Sequence, residues 1–245
     1  MNIPICYEDD YIIVVSKPCN VLVHHSHMAR NMDDEATLID LLKVQYNHKY
    51  YPLHRLDRKT SGLILLAKKR ADVSAFQELF IQNKIQKTYY ALVRGFAPEK
   101  GLIESPVKGR DANVYKDAET HFFKLKEIAL DIAVHPYDSS RYCLLKLKPK
   151  TGRLHQLRIH LNKISHPIIG DPKYGDRFHN RMFETEFNCS NMFLHAGEIE
   201  FMHPFSKKSI CVHSEFPNHW TEAFNRFNWF YFYFMFDFIF KTYCR

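Results

Sequence analysis

The run Gly-Leu-Ile-Leu-Leu-Ala at 62–67 constrains the fold more than any other segment of this chain. It has no polar residue to turn toward water, and Lys68-Lys69 closes it. An apolar run of that length, bounded in that way, reads as a buried strand that other elements must cover. Further strands are expected at Tyr11–Val15, which ends at Lys17-Pro18, and at Lys87–Gly95, which alternates and stops at a glycine. Others are expected at Thr120–Ile128, at Arg141–Leu147, in MFLHAGEIEF from Met192 and in SICVH from Ser209.

Helical spacing interrupts these strands. Leu38, Leu41, Leu42 and Tyr46 share a face, with Thr37 placed to cap it. Val73, Phe76, Leu79 and Phe80 line a helix over Ala71–Gln82. Leu154, Leu157, Leu161 and Ile164 predict a third helix, which puts His155, Arg158 and Asn162 on a neighbouring face. A last helix is expected after Pro217. The charge- and turn-rich stretch Gly101–Glu119 predicts a mobile loop or insertion. With no linker or repeat, the pattern predicts one α+β domain over 1–226 and an aromatic-rich tail over 227–245. The tail's run Phe227–Phe240 is shorter than the ~20 apolar residues of a membrane-spanning helix, and Asp237 interrupts it. It reads as a docked terminal element, with membrane-surface contact or a frayed end as the other readings.

Composition narrows the function classes. Thirty-four lysines and arginines against 27 acidic residues give a net charge of +7, which suits a polyanionic partner without requiring one. No glycine-rich phosphate loop of either common spacing occurs, so a nucleotide triphosphatase or dinucleotide enzyme has no support. Cysteines 6, 19, 143, 189, 211 and 244 lack metal or redox spacing and read as free thiols of a reducing compartment. The N-terminus has no basic segment followed by an apolar run, so a cytoplasmic location is expected. His24, His25 and His27 cluster without a neighbouring Cys, Asp or Glu, and no metal site is expected.

One segment remains, HRLDRKTSG at His54–Gly62. Asp57 lies between Arg55 and Arg58 immediately before the buried strand, where cations favour its charge. On charge alone, an arginine-rich surface turn with a structural ion pair is the favoured explanation of the segment.

The wording of the segment goes further. HRLDRKTSGLILLAK resembles the signature of the RluA family of pseudouridine synthases. KTYYALVRG from Lys87, KPKTGRLHQLRIHL from Lys148, HPIIGDPKYGD from His166 and LHAGEIEFMHP from Leu194 resemble that family's later motifs, in order. The resemblance implies that Asp57 is the catalytic aspartate, Tyr89 the active-site tyrosine and Arg158 the arginine that pairs with the aspartate. It implies that Arg55 enters the RNA stack where the target base leaves, and that His54, Arg58, Thr60, Lys87, His155 and Gln156 contact the RNA. The implied fold is a bent, mixed and mainly antiparallel sheet with flanking helices and a central cleft, without the S4 RNA-binding domain some members carry. Asn20 stands where relatives commonly have glycine.

The implied chemistry breaks the N1 glycosidic bond of a uridine, turns the base and rejoins it through C5. No redox change occurs, so no cofactor is expected. RNA is the expected partner, with tRNA favoured over ribosomal RNA, and neither a membrane span nor an obligate protein partner is expected. Two other readings keep the same residues: an RNA-binding protein without catalysis, and a glycosidase in which Asp57 hands the sugar to water and releases uracil.

Overall fold

The computed structural model describes residues 2–25, 35–109 and 114–229. His27, residues 110–113 within the Gly101–Glu119 stretch and the tail beyond Trp229 lie outside the described residues. The fold is α+β, a mixed sheet flanked by five helices among the described residues. The chain divides into two compact units, residues 2–86 with 196–217, and 87–195 with 218–229.

In the first unit, β1 (Ile5–Glu8), β2 (Ile12–Lys17) and β4 (Ser61–Ala67) follow one another in the sheet. β3 (Tyr51–Pro52) also pairs with β4, and β12 (Ser209–His213) pairs with β11 (Leu194–Met202), which opens in the second unit and runs into the first. Every residue of β4 is buried, as its uninterrupted apolar run requires. Leu63, Leu65 and Ala67 join Ile12, Val14, Ile199, Phe201 and Val212 in one core cluster, which α2 (Val73–Ile81) covers with Phe76. A 3-10 turn at Arg70–Asp72 takes up the start of the helix predicted over Ala71–Gln82. α1 (Leu38–Tyr46) begins at the predicted cap: Thr37 Oγ1 accepts from the Asp40 N–H, and Asp40 reaches back to the Thr37 N–H.

In the second unit, β5 (Gln86–Arg94), β10 (Ser140–Pro149), β9 (Glu119–Leu130) and β6 (Lys100–Glu104) form consecutive antiparallel pairs. α3 (Gln156–Lys163) lays Leu157 and Leu161 on Ala91, Val93, Leu145 and Leu147. α4 (Arg177–Glu186) sets Phe183 against Tyr142 of β10, and α5 (Asn218–Arg226) sets Trp220 against Phe193. Phe227 and Trp229 are buried, with the Phe227 ring against Phe183, Phe187 and Trp229, so the first residues of the aromatic tail are docked. No helix among the described residues is long and apolar enough to cross a membrane.

Two expectations need correction. Gly101–Glu119 contains β6 and the hairpin strands β7 (Val107–Lys108) and β8 (Tyr115–Lys116). Ile103, Val107 and Ala118 are buried, so three small apolar anchors outweigh the turn-rich composition around them. The third helix starts at Gln156, not before it: His155 is left-handed at φ 55° and Leu154 is exposed. His155 therefore stands ahead of the helix, not on its face.

Gly62 shows why this sheet needs its glycine. Its φ is +105°, and a Cβ there would stand 2.2 Å from the Ala196 carbonyl oxygen. Gly62→Ala is expected to cost about 3 kcal/mol or more and to lower Tm by about 6 °C or more. Calorimetry of the purified variant checks this, and an unchanged Tm would contradict the close approach.

Candidate active site

Asp57 sits in the turn before β4, half-buried, and its carbonyl accepts from the Thr60 N–H at 3.1 Å. Thr60 is buried, Arg55 is exposed, and Arg58 is half-buried. The Arg58 Nε donates to the Asn20 carbonyl at 3.1 Å and its Nη2 pairs with Glu35 at 2.7 Å. His54 faces inward: its Nε2 accepts from the Leu65 N–H at 3.0 Å, and its ring lies 5.0 Å from that of Phe80. It fixes the chain at the entry to the Asp57 turn.

A residue that sequence reasoning missed holds this turn from below. Lys17, the last residue of β2, is fully buried. Its Nζ donates to the carbonyls of Pro18, Val21 and Arg58 at 2.8, 2.9 and 3.1 Å, so one ammonium ties the 17–21 turn to the turn that carries Asp57. Cys19 adds a second tie by donating to the Lys59 carbonyl. Burial pulls the Lys17 pKa down to about 8, against the charges of Cys19 and Asp57, which favour the ammonium. Asn20, where a glycine was expected, adopts φ 68°, and asparagine is the side chain that best tolerates that region. The signal was present in sequence, a lysine ending a β-branched strand where a hydrophobe is expected, but it was read only as the strand's end.

In the second unit Tyr89 lies on β5 opposite Leu147 and packs against the cluster under α3. Lys87, two residues earlier, is half-buried, and desolvation lowers its pKa. Gln156 is buried with its whole amide engaged. Its Oε1 accepts from Thr151 Oγ1 and the Arg153 N–H, and its Nε2 donates to the Glu119 carbonyl and Thr120 Oγ1. It fastens the start of α3 to β9.

Arg158 is the most tightly built of the expected residues. Its Nε and Nη2 donate to Asp171 Oδ2 and Oδ1 at 2.7 and 2.8 Å, a two-point pair in which the Asp171 side chain is fully buried. Asp171 Oδ1 also accepts from the N–H groups of Lys173 and Tyr174. The Tyr174 ring lies under the guanidinium at 5.2 Å, and its hydroxyl is 3.1 Å from His155 Nδ1. Burial pushes the Asp171 carboxyl up, but the Arg158 hydrogen bonds and charge outweigh it and hold the pKa below the ordinary carboxylate value. Asp171 lies in a segment read from sequence only as a turn-rich loop. The preceding Ile168 and Ile169, both buried, are what carry it inside.

The sequence profile of the RNA pseudouridylate synthase family matches residues 11–163 of this chain. The chain is 34% identical over 239 residues to the tRNA pseudouridine synthase C of Vibrio parahaemolyticus, covering 94% of this chain and 96% of that protein. It is 37% identical over 240 residues to the protein of the same name from Haemophilus ducreyi, covering 94% and 97%. Among solved structures it resembles human RNA Pseudouridylate Synthase Domain Containing 1, with a TM-score of 0.69 at 24% identity over 88% of this chain and 84% of that one. Human RNA Pseudouridylate Synthase Domain Containing 4 gives 0.68 at 22% identity, over 91% and 92%.

Removing the Asp171 carboxylate takes away the two charge-assisted hydrogen bonds that it gives a buried guanidinium. Asp171→Asn is expected to cost about 3–5 kcal/mol at pH 7. Because the folded pKa is depressed, this contribution is present above the unfolded value of about 3.9 and is lost as pH falls through the folded value. Urea denaturation at pH 7 and at pH 3.5 checks both points: the gap between wild type and variant should narrow in acid, and equal stability at pH 7 would contradict the pair's role.

Proposed function

Because the chain belongs to the RNA pseudouridylate synthase family and is an RNA pseudouridine synthase, we propose that it converts one specific uridine of tRNA to pseudouridine in the cytoplasm. The observation that carries the tRNA reading is the identity of 34–37% to proteins named tRNA pseudouridine synthase C over more than nine-tenths of both chains. The catalytic domain in this reading is 1–226 and comprises both compact units.

Asp57, Tyr89 and Arg158 act on the same uridine. The C1′–N1 bond breaks, the C1′–C5 bond forms, the C5 hydrogen leaves as a proton and N1 gains one. Atoms and electrons balance without a cofactor or a second substrate. An ionised Asp57 supplies the nucleophile or base at the sugar. Arginine suits the role of its cationic partner because it stays charged and its five N–H donors leave three beyond the two that Asp171 takes. Asp171 is the positioning residue that fixes Arg158, and Lys17 the one that fixes the turn of Asp57. Tyr89 offers a ring face to the base and a hydroxyl within reach of it.

The target uridine must leave its stack, at a cost of a few kcal/mol. Arg55, exposed two residues before Asp57, fills the gap by stacking on the orphaned neighbour. Arg58, Lys87 and His155, each half-buried, belong to the RNA-facing set, and Thr60, buried in the Asp57 turn, serves it from within the protein. His54 and Gln156 serve it from behind, because their polar atoms are engaged within the protein.

The test is release of tritium from a tRNA transcript labelled at C5 of uridine. Wild type should release one equivalent at the modified position, and Asp57→Asn none, with tRNA affinity within about twofold because phosphate contacts supply most of it. Arg158→Lys should fold and turn over about 100-fold more slowly through misplacement of the aspartate. Activity in Asp57→Asn would overturn the catalytic assignment. Equal rates on a ribosomal RNA fragment and on tRNA, at one salt concentration, would overturn the choice of tRNA, and free uracil would indicate a glycosidase.

A further inference from the structure

The sheet of the second unit has two unlike faces. One carries Ile103, Phe122, Leu145 and Leu147 into the cluster under α3, and Tyr89 packs on that side. Register places Lys100, Phe123 and Lys146 in one row across β6, β9 and β10, and Leu102, His121 and Lys148 in the next. Register partners share a face and neighbours along a strand alternate, so these six residues occupy the other face.

Over β6 and β9 this second face is open and basic, whereas on β5 Tyr90, the register partner of Lys146, is buried. Phe123 is 38% exposed and Leu102 46%, although both sit in regular strands. Lys100 and Lys148 are exposed and Lys146 half-buried, and none of the three takes part in an ion pair among the described residues. Lys124, next to Phe123 in sequence, is held by Glu99 and Glu127. Glu119, which pairs with His121, and its register partner Glu104 bound the patch at one end. Strands lie about 4.8 Å apart and alternate residues about 6.7 Å apart along a strand. Lys100 and Lys146 thus flank Phe123 in its own row and Lys148 stands in the next, a span of a few nucleotides.

We infer that this face is a second RNA-contact surface, on the side of the sheet opposite to Tyr89, where Lys100, Lys146 and Lys148 meet the phosphates of an unpaired RNA segment and one base stacks on Phe123. Charge complementarity and the chain's class of substrate together select the occupant: the chain is an RNA pseudouridine synthase, and single-stranded nucleic acid uses lysines and an exposed ring at once. Stacking on a phenyl ring is tolerant of base identity, so the surface adds grip, not sequence choice. The inference rests on the chain's being an RNA-modifying enzyme and is independent of whether tRNA is the substrate.

The experiment measures fluorescence anisotropy of a labelled tRNA transcript against the full chain over a range of salt. The variants are Lys146→Gln with Lys148→Gln, Phe123→Leu and Phe123→Tyr, each checked for a wild-type Tm. The double lysine variant should bind about tenfold more weakly, and its log–log salt slope should be shallower by about 1.4, at roughly 0.7 per phosphate contact on a single strand. Phe123→Leu should weaken binding about tenfold with no change of slope, and Phe123→Tyr should restore it. A blunt RNA duplex, which has no unpaired base, should bind Phe123→Leu and wild type equally. Turnover at saturating RNA should match wild type in all variants. A wild-type Kd in either the double lysine variant or Phe123→Leu would overturn the proposal. Tritium release by the wild type on tRNA and on ribosomal fragments reports separately on the substrate.

Discussion

The second unit is arranged around a guanidinium and a carboxylate that have both left water. Desolvating two ions costs several kcal/mol each, and only near-ideal geometry with every remaining lone pair engaged offsets it. The Arg158–Asp171 pair meets that condition. Asp171 takes two bonds from Arg158 and two from the backbone of the loop it opens, and Tyr174 places its ring against the cation. The neighbourhood is shaped to allow this. Asn180 on α4 donates to the Asp171 carbonyl and accepts from the Gly170 N–H. Gly170 itself has φ +76° and comes so close to the Asn191 backbone that no side chain fits there. Asp176 caps α4 and pairs with Arg94 on β5, so the same loop is pinned at both ends.

The first unit solves a related problem with one charge. Among the described residues, Lys17 has no carboxylate bonded to it. Three backbone carbonyls take its three protons instead, and those carbonyls belong to two turns. Carbonyl ligation costs the protein no second desolvated ion, and it converts a single side chain into a staple between β2 and the turn of Asp57. In both units a buried cation determines where a loop goes, and each loop bears residues of the proposed chemistry.

Much of the fold could be read from the sequence because burial dictates pattern. From Gly62 to Ala67 β4 has no polar residue because both its faces are covered, and the Thr37 capping box follows from side-chain reach alone. The family motifs likewise led to Asp57, Tyr89 and Arg158 as candidates. What stayed hidden depends on tertiary partners. Nothing local distinguishes Asp171 in Gly-Asp-Pro-Lys from a solvated turn residue, because its role is created by an arginine 13 positions away. Lys17 and the inward turn of His54 were missed for the same reason: their partners lie 41 and 11 residues off. The strands of Gly101–Glu119 were lost to composition, since three small buried anchors carry little periodicity. The start of α3 failed on one left-handed residue, His155, which no apolar spacing reveals.

The central claim is that this chain makes one tRNA pseudouridine with Asp57. The most direct measurement is pseudouridine mapping across total RNA from cells that have the gene, lack it, or carry it only as Asp57→Asn. The account predicts that a single tRNA position loses its pseudouridine when the gene is absent, regains it with the wild-type gene and does not regain it with Asp57→Asn. Loss confined to ribosomal RNA, or restoration by Asp57→Asn, would contradict it.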